Sequence, residues 1–237
     1  MDDDITLVQD ATVRVQSVVH GLDDTALRQP SLLPGWTRGH VVAHLVGNAE
    51  GMVNLVTWAV TGVRTPMYPS MDQRNDDIQA RSTLSAVDLQ ALYDDRAATL
   101  RSRLAELTEA VADVEIVNGI GQVMPARRIP WLRAREVLIH GVDLDAGLAF
   151  IDLPPDFLAR LLADIVSGMP VRAGESVDLD ASDAPVLVRV AGDGDDVITV
   201  AGPLGELVAL VLGRPAHGLA AAGSSGPVDV PVLPSWS

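Results

Sequence analysis

Apolar residues recur at close to the helical period of about 3.6 in four stretches of the first 150 residues. Ile5, Leu7, Val8, Ala11, Val15, Val18 and Val19 line one face of a segment over 3–21, and Gly21 follows as a stop. The second segment is announced by SLLPGWT, where Pro34 and Gly35 make a turn and Thr37 offers an N-cap; it runs to about Ala59 or Val60, ahead of Gly62. A polar stretch, TPMYPSMDQRNDD, follows, and its prolines and mixed charges predict a loop. The third helix is expected over about 85–112, with Leu89, Leu92, Leu100, Leu104 and Leu107 as its apolar face. A fourth starts at Pro130, a residue suited to a first helical position, and continues to about Gly147. Helices of these lengths predict a four-helix bundle over 1–150.

The pattern changes after IDLPP at 151–155. A short helix from Phe157 to Val166 precedes VLVRVA and DVITVA, which alternate, are rich in β-branched residues, and read as neighbouring strands joined by the turn GDGD. Gly202 and Pro203 then open a helix, LGELVALVL, that ends at Gly213 just before Arg214. AAAGSSG at 220–226 has the composition of a flexible loop or linker. The expected class is therefore α+β, with an N-terminal four-helix bundle and a small C-terminal α+β domain over 151–237.

Charge narrows the possible partners. The chain has 237 residues with 17 Lys plus Arg against 32 Asp plus Glu, and the net charge of −15 would repel nucleic acid and anionic lipid surfaces. The start, MDDDITLVQD, is acidic where a secretory signal would be basic and then apolar. The most apolar long stretch, 41–60, contains His44, Asn48, Glu50 and Asn54, which is too polar for a lipid-facing span. A cytoplasmic protein with no nucleic-acid or membrane partner is expected. There is no cysteine, so disulfides and thiolate ligands are excluded, and any thiol chemistry must use a thiol from outside the chain.

Several polar residues stand where burial is expected. His40, His44 and Asn48 follow one another at four-residue spacing on the second helix, and Glu136, His140 and Asp143 do much the same on the fourth. Such residues on two facing bundle helices can converge on a metal. Two imidazoles and one carboxylate suit Zn²⁺, accept other divalent ions, and leave a coordination position open. Taken alone, Glu136 and His140 also fit a surface ion pair, and His40, near its helix start, fits a surface or capping role. His44 is the better ligand because it lies deeper in the apolar run. Arg74 and Arg214 fall in loops, where binding residues concentrate, although most loop arginines are simply solvated. Arg135 reads as solvated.

SLLPGWTRGHVVAHLVGNA, NLVTWAVTG with TPMYPS and QRND, and WLRAREVLIHGVDL occur in order and closely resemble the mycothiol-dependent maleylpyruvate isomerases, members of the DinB-like group of metal-binding four-helix bundles. The likeness covers most of residues 30–150. It implies zinc ligands at His44, Glu136 and His140, and catalytic arginines at Arg214 and Arg74. It further implies conversion of 3-maleylpyruvate, a dicarboxylate of gentisate breakdown, to 3-fumarylpyruvate. A thiolate supplied by mycothiol adds to the double bond, the resulting single bond rotates, and the thiolate leaves. Asp143 would accept the second N–H of a ligand histidine, or else is a solvated helix-end residue. Two alternatives keep their place: a mycothiol S-transferase acting on another electrophile, and a non-enzymatic binding protein. The oligomeric state is not legible.

Overall fold

A computed structural model of the chain describes residues 1–233 and divides it into two compact units, Met1–Leu148 and the residues from Ala149 onward. The last four residues of the expected second domain lie outside the described residues.

The first unit is built on helices α1 (Asp2–His20), α2 (Asp24–Leu27), α3 (Arg38–Thr61), α4 (Met71–Arg81), α5 (Ala86–Leu104) and α6 (Ile129–Asp143). The four long ones form the bundle, α1 packing on α5 and α6, and α3 on the same two from the other side. Thr37 caps α3 by accepting the His40 N–H, and Gly62 stops it at φ +70, a left-handed turn that glycine adopts without strain. Met52, Leu55 and Val56 of α3 pack with Leu100 and Leu104 of α5 and Ile129 of α6, each leucine contributing roughly 1.5–3 kcal/mol by its burial. At Gly141 a β-carbon would stand 2.5 Å from Val15 Cγ2, so α6 approaches α1 as closely as it does only because that residue has no side chain.

Two expectations for this unit are corrected. The stretch 65–77 is not wholly a loop: Pro66 and Pro69 precede α4, Ser70 caps it by accepting the Gln73 N–H, and Arg74 is helical. Only Ile78 of α4 is buried, so the helix carries no apolar periodicity. The third long helix stops at Leu104 rather than near 112; Leu107 and Ala112 are buried from turns. A small antiparallel hairpin follows, β1 (Glu115–Val117) with β2 (Val123–Pro125), whose three-residue strands are too short to show a period.

The second unit has helix α7 (Pro155–Ser167), strands β3 (Ser176–Ala181), β4 (Leu187–Val190) and β5 (Val197–Gly202), helix α8 (Leu204–Val211), and strands β6 (Ala220–Gly223) and β7 (Gly226–Val228). Its sheet order is β4-β3-β5-β6-β7. The expected neighbours VLVRVA and DVITVA are separated by β3, which pairs antiparallel with β4 and parallel with β5. GDGD is accordingly not a hairpin turn. It folds against the chain leading into β3: Asp193 accepts the Gly174 N–H at 2.7 Å, and the Gly194 N–H donates to Gly174 O at 2.8 Å. Asp178 and Asp180 gave SVDLDA a polar look, although Val177, Leu179 and Ala181 are buried. AAAGSSG is likewise not a free linker, because β6 pairs with β5 and β7 folds back on β6. No described helix is long and apolar enough to cross a membrane.

Candidate metal centre

Helices α3 and α6 pack side by side and bring three donors together. His44, Glu136 and His140 each offer one ligand atom, all within 4.8 Å of one another. His44 Nε2 lies 3.0 Å and His140 Nε2 3.6 Å from the same oxygen, Glu136 Oε2, and the two rings meet edge to face with centroids 4.5 Å apart. Both imidazoles are buried.

Each donor is held from behind. His140 Nδ1 lies 2.9 Å from Asp143 Oδ2, and Asp143 is fully buried. A carboxylate there can only accept, so the proton sits on Nδ1. Glu136 Oε2 also accepts from Asn48 Nδ2 at 3.3 Å. The amide is oriented by Arg133, whose Nη1 donates to Asn48 Oδ1 at 2.8 Å and to Leu45 O at 3.0 Å. Arg74 Nη2 lies 3.1 Å from His44 Nδ1. Because a guanidinium only donates, Nδ1 accepts and the His44 proton is on Nε2, shared with Glu136. Trp36 meets the His44 ring edge-on at 5.8 Å.

The electrostatics follow this geometry. Burial first, and the neighbouring His140 second, pull His44 down to about 4, so it is neutral. Burial works against the charged form of His140 too, but its hydrogen bonds to Asp143 and Glu136 outweigh burial and raise it to about 9. Burial pushes Glu136 up, and the hydrogen bonds from His140 and His44 overcome it and hold the carboxyl well below the ordinary range. Two carboxylates, Glu136 and Asp143, thus share one imidazolium within the cluster.

The donor set fits a divalent ion. It offers two nitrogens and one oxygen in a mostly buried place, three ligands rather than four, and a supporting carboxylate behind one histidine. Beside it lies a cavity of about 210 Å³ lined by His44, Glu50, Tyr68, Arg74 and Arg81 among others. Glu50 is engaged by Arg81 at 2.8 Å and Arg96 at 2.7 Å, whereas Arg74 contacts Asn75, His44 and the Tyr68 ring.

The remaining sequence candidates fall elsewhere. His40 is part of the α3 cap, its Nδ1 accepting the Thr37 N–H at 3.3 Å. Arg214 belongs to the second unit, where it follows Gly213 and donates through Nη1 to Leu212 O. Reading the sequence missed Arg133, although an arginine three residues before Glu136 in an apolar run was a signal; it also missed Tyr68, whose partners come together only in the fold.

Residues 8–145 match the family model for the mycothiol maleylpyruvate isomerase N-terminal domain. Among solved structures, the chain is similar to the crystal structure of the mycothiol-dependent maleylpyruvate isomerase, with a TM-score of 0.88 and 34% identity over 99% of this chain and 96% of that one. A histidine-to-alanine mutant of that enzyme matches with the same values. No curated protein sequence matches the chain.

Proposed function

This chain belongs to the mycothiol maleylpyruvate isomerase family, and we propose that it converts 3-maleylpyruvate to 3-fumarylpyruvate with zinc and mycothiol as cofactors. It is an isomerase with a DinB-like helical first unit. The observation that carries the proposal is the convergence of His44, Glu136 and His140 beside a cavity that Arg74 lines. These three residues would hold the ion, leaving a position open.

Bound there, zinc and the thiol together supply an ionised sulfur at neutral pH, the nucleophile needed to open a carbon–carbon double bond reversibly. The chain has no cysteine with which to supply that sulfur itself. The chain's own residues orient and bind. Asp143 fixes His140 with its Nε2 toward Glu136. Arg133 and Asn48 fix the Glu136 carboxylate. Were His44 to hold the ion through Nε2, its ring proton would sit on Nδ1, which would then no longer accept from Arg74. The guanidinium would then be free to fork one substrate carboxylate in the adjoining cavity, which Arg74 lines. Arg214 keeps, as part of this proposal, the catalytic role that the family resemblance gives it. Trp36 packs edge-on against the His44 ring, and Tyr68 lines the adjoining cavity.

The test is turnover of maleylpyruvate by zinc-loaded protein with and without mycothiol. Thiol-dependent appearance of fumarylpyruvate is expected. No conversion with zinc retained would overturn the substrate assignment and leave transfer of mycothiol to another electrophile as the reading to pursue.

A further inference from the structure

The cavity beside the metal donors holds one polar group that neither an ion nor a carboxylate accounts for. Tyr68, two residues before the α4 cap Ser70, lines that cavity together with Arg74 and His44. The Arg74 guanidinium stands 5.7 Å from the Tyr68 ring centre and 3.1 Å from His44 Nδ1, so the phenol is two contacts away from a metal donor. Burial, and then the charge of Glu136, raise the tyrosine pKa, and the proton stays on its oxygen at neutral pH. A guanidinium only donates, so Arg74 takes up none of the phenol's donor capacity. Among the described residues the Tyr68 O–H donates to no protein acceptor.

The ring is held from its far side. A β-carbon at Gly119, in the turn between β1 and β2, would stand 3.1 Å from Tyr68 Cε2, so the hairpin comes as close to the ring as a residue without a side chain allows. Met67, the preceding residue, is fixed on α3: a β-carbon at Gly51 would stand 2.7 Å from its Cγ, and Asn54 Nδ2 donates to its carbonyl at 3.3 Å. Neither contact serves the metal. Together they preorganise a neutral donor at the cavity wall.

What that donor meets follows from the reaction, and the inference rests on the isomerase reading. As a carbon–sulfur bond forms at the double-bond carbon remote from the ketone, the π pair moves onto the ketone oxygen, which becomes an enolate oxygen. After rotation the pair returns, the double bond re-forms and the carbon–sulfur bond breaks. Arg74 answers a substrate carboxylate, whereas the ketone oxygen needs a donor whose hydrogen bond strengthens as charge arrives. Besides His44, the neutral side-chain donors lining the cavity are Asn54, committed to Met67 O, and Tyr68. We propose that Tyr68 is a catalytic residue whose hydroxyl hydrogen-bonds the substrate's ketone oxygen and stabilises its negative charge while the carbon–carbon bond rotates. The proton remains on the tyrosine throughout.

The experiment is steady-state kinetics with maleylpyruvate and mycothiol on the zinc-loaded full-length protein, with zinc counted in each sample. Tyr68→Phe should keep its zinc and its KM and lose about 10²-fold in kcat, because the hydrogen bond strengthens only as charge develops. Calorimetric binding of mycothiol to that variant should be unchanged. Gly119→Val, which pushes the Tyr68 ring from the hairpin, should lower kcat about tenfold, again with zinc retained. Equal kcat in the wild type and Tyr68→Phe overturns the proposal and leaves the isomerase reading standing. So does a loss confined to KM, which makes the hydroxyl a ground-state contact, or a loss that tracks departure of zinc, which makes it a support of the metal centre. Absence of conversion by the wild-type protein removes the isomerase reading and this proposal with it.

Discussion

Arg133 and Glu136 stand three residues apart on α6, and their charges are handled in opposite ways. Glu136 faces His44, His140 and Asn48, and its carboxylate shares the imidazolium of His140 with Asp143. Arg133 donates to a backbone carbonyl and an amide, touches no carboxylate, and has Glu136 as its counter-charge at a distance. The first arrangement is complete without a ligand yet exchanges its protons for an ion. The second reaches the first through the Asn48 amide. Buried polar groups in a bundle therefore point to an occupant where donors converge, and to a positioning role where a charge acts on that site through an intermediary.

The largest effect should come from breaking the convergent side. His44→Ala or Glu136→Ala should remove metal and turnover together, because two remaining donors hold a divalent ion poorly. Metal analysis beside the isomerase assay checks this, and full activity in a metal-free variant would break the comparison. Arg74→Met should separate the roles. Metal is retained, while turnover falls about 10²–10³-fold, the scale for losing one charged group that stabilises a reacting anion. Unchanged turnover would take Arg74 out of the reaction.

The two sides also differed in how well the sequence disclosed them. Four-residue spacing on two apolar segments placed His44, Glu136 and His140 on facing helices, because helical periodicity is local and survives without tertiary context. Arg74 was read as a loop residue, since α4 buries only Ile78 and presents no stripe. β3 escaped for a related reason: its alternation was hidden by Asp178 and Asp180, and its two partners lie later in the chain. Arg133 stood three residues before Glu136 in an apolar run, yet its partners, Leu45 O and Asn48 Oδ1, come from another helix and no local spacing names them.

Of intermediate size is the support behind His140. Asp143→Asn should lower metal affinity about 10–100-fold, the usual consequence of removing a carboxylate that orients a ligand histidine. Protons add a second measure. With His140 raised to about 9 and His44 lowered to about 4, the metal-free centre at pH 7.5 carries one proton that an incoming ion must displace. Ion and proton compete for the same nitrogen, so apparent affinity should rise about tenfold per pH unit through neutrality and level off above about 9. Calorimetry in two buffers of different ionisation enthalpy counts the proton directly. In Asp143→Asn the levelling should come at lower pH, since the hydrogen bond that holds His140 up is weakened.

The smallest effect should come from Asn48, which is where the two sides touch. Its amide passes one hydrogen bond from Arg133 to Glu136. Asn48→Leu leaves Arg133 with Leu45 O alone, and the resulting unsatisfied groups should cost stability of about 1–3 kcal/mol. Metal affinity should fall only about fivefold, the worth of one ordinary hydrogen bond, because His44 and His140 still fix the carboxylate. Metal affinity falling as far in Asn48→Leu as in Asp143→Asn would mean that the amide, rather than the two histidines, fixes the Glu136 carboxylate.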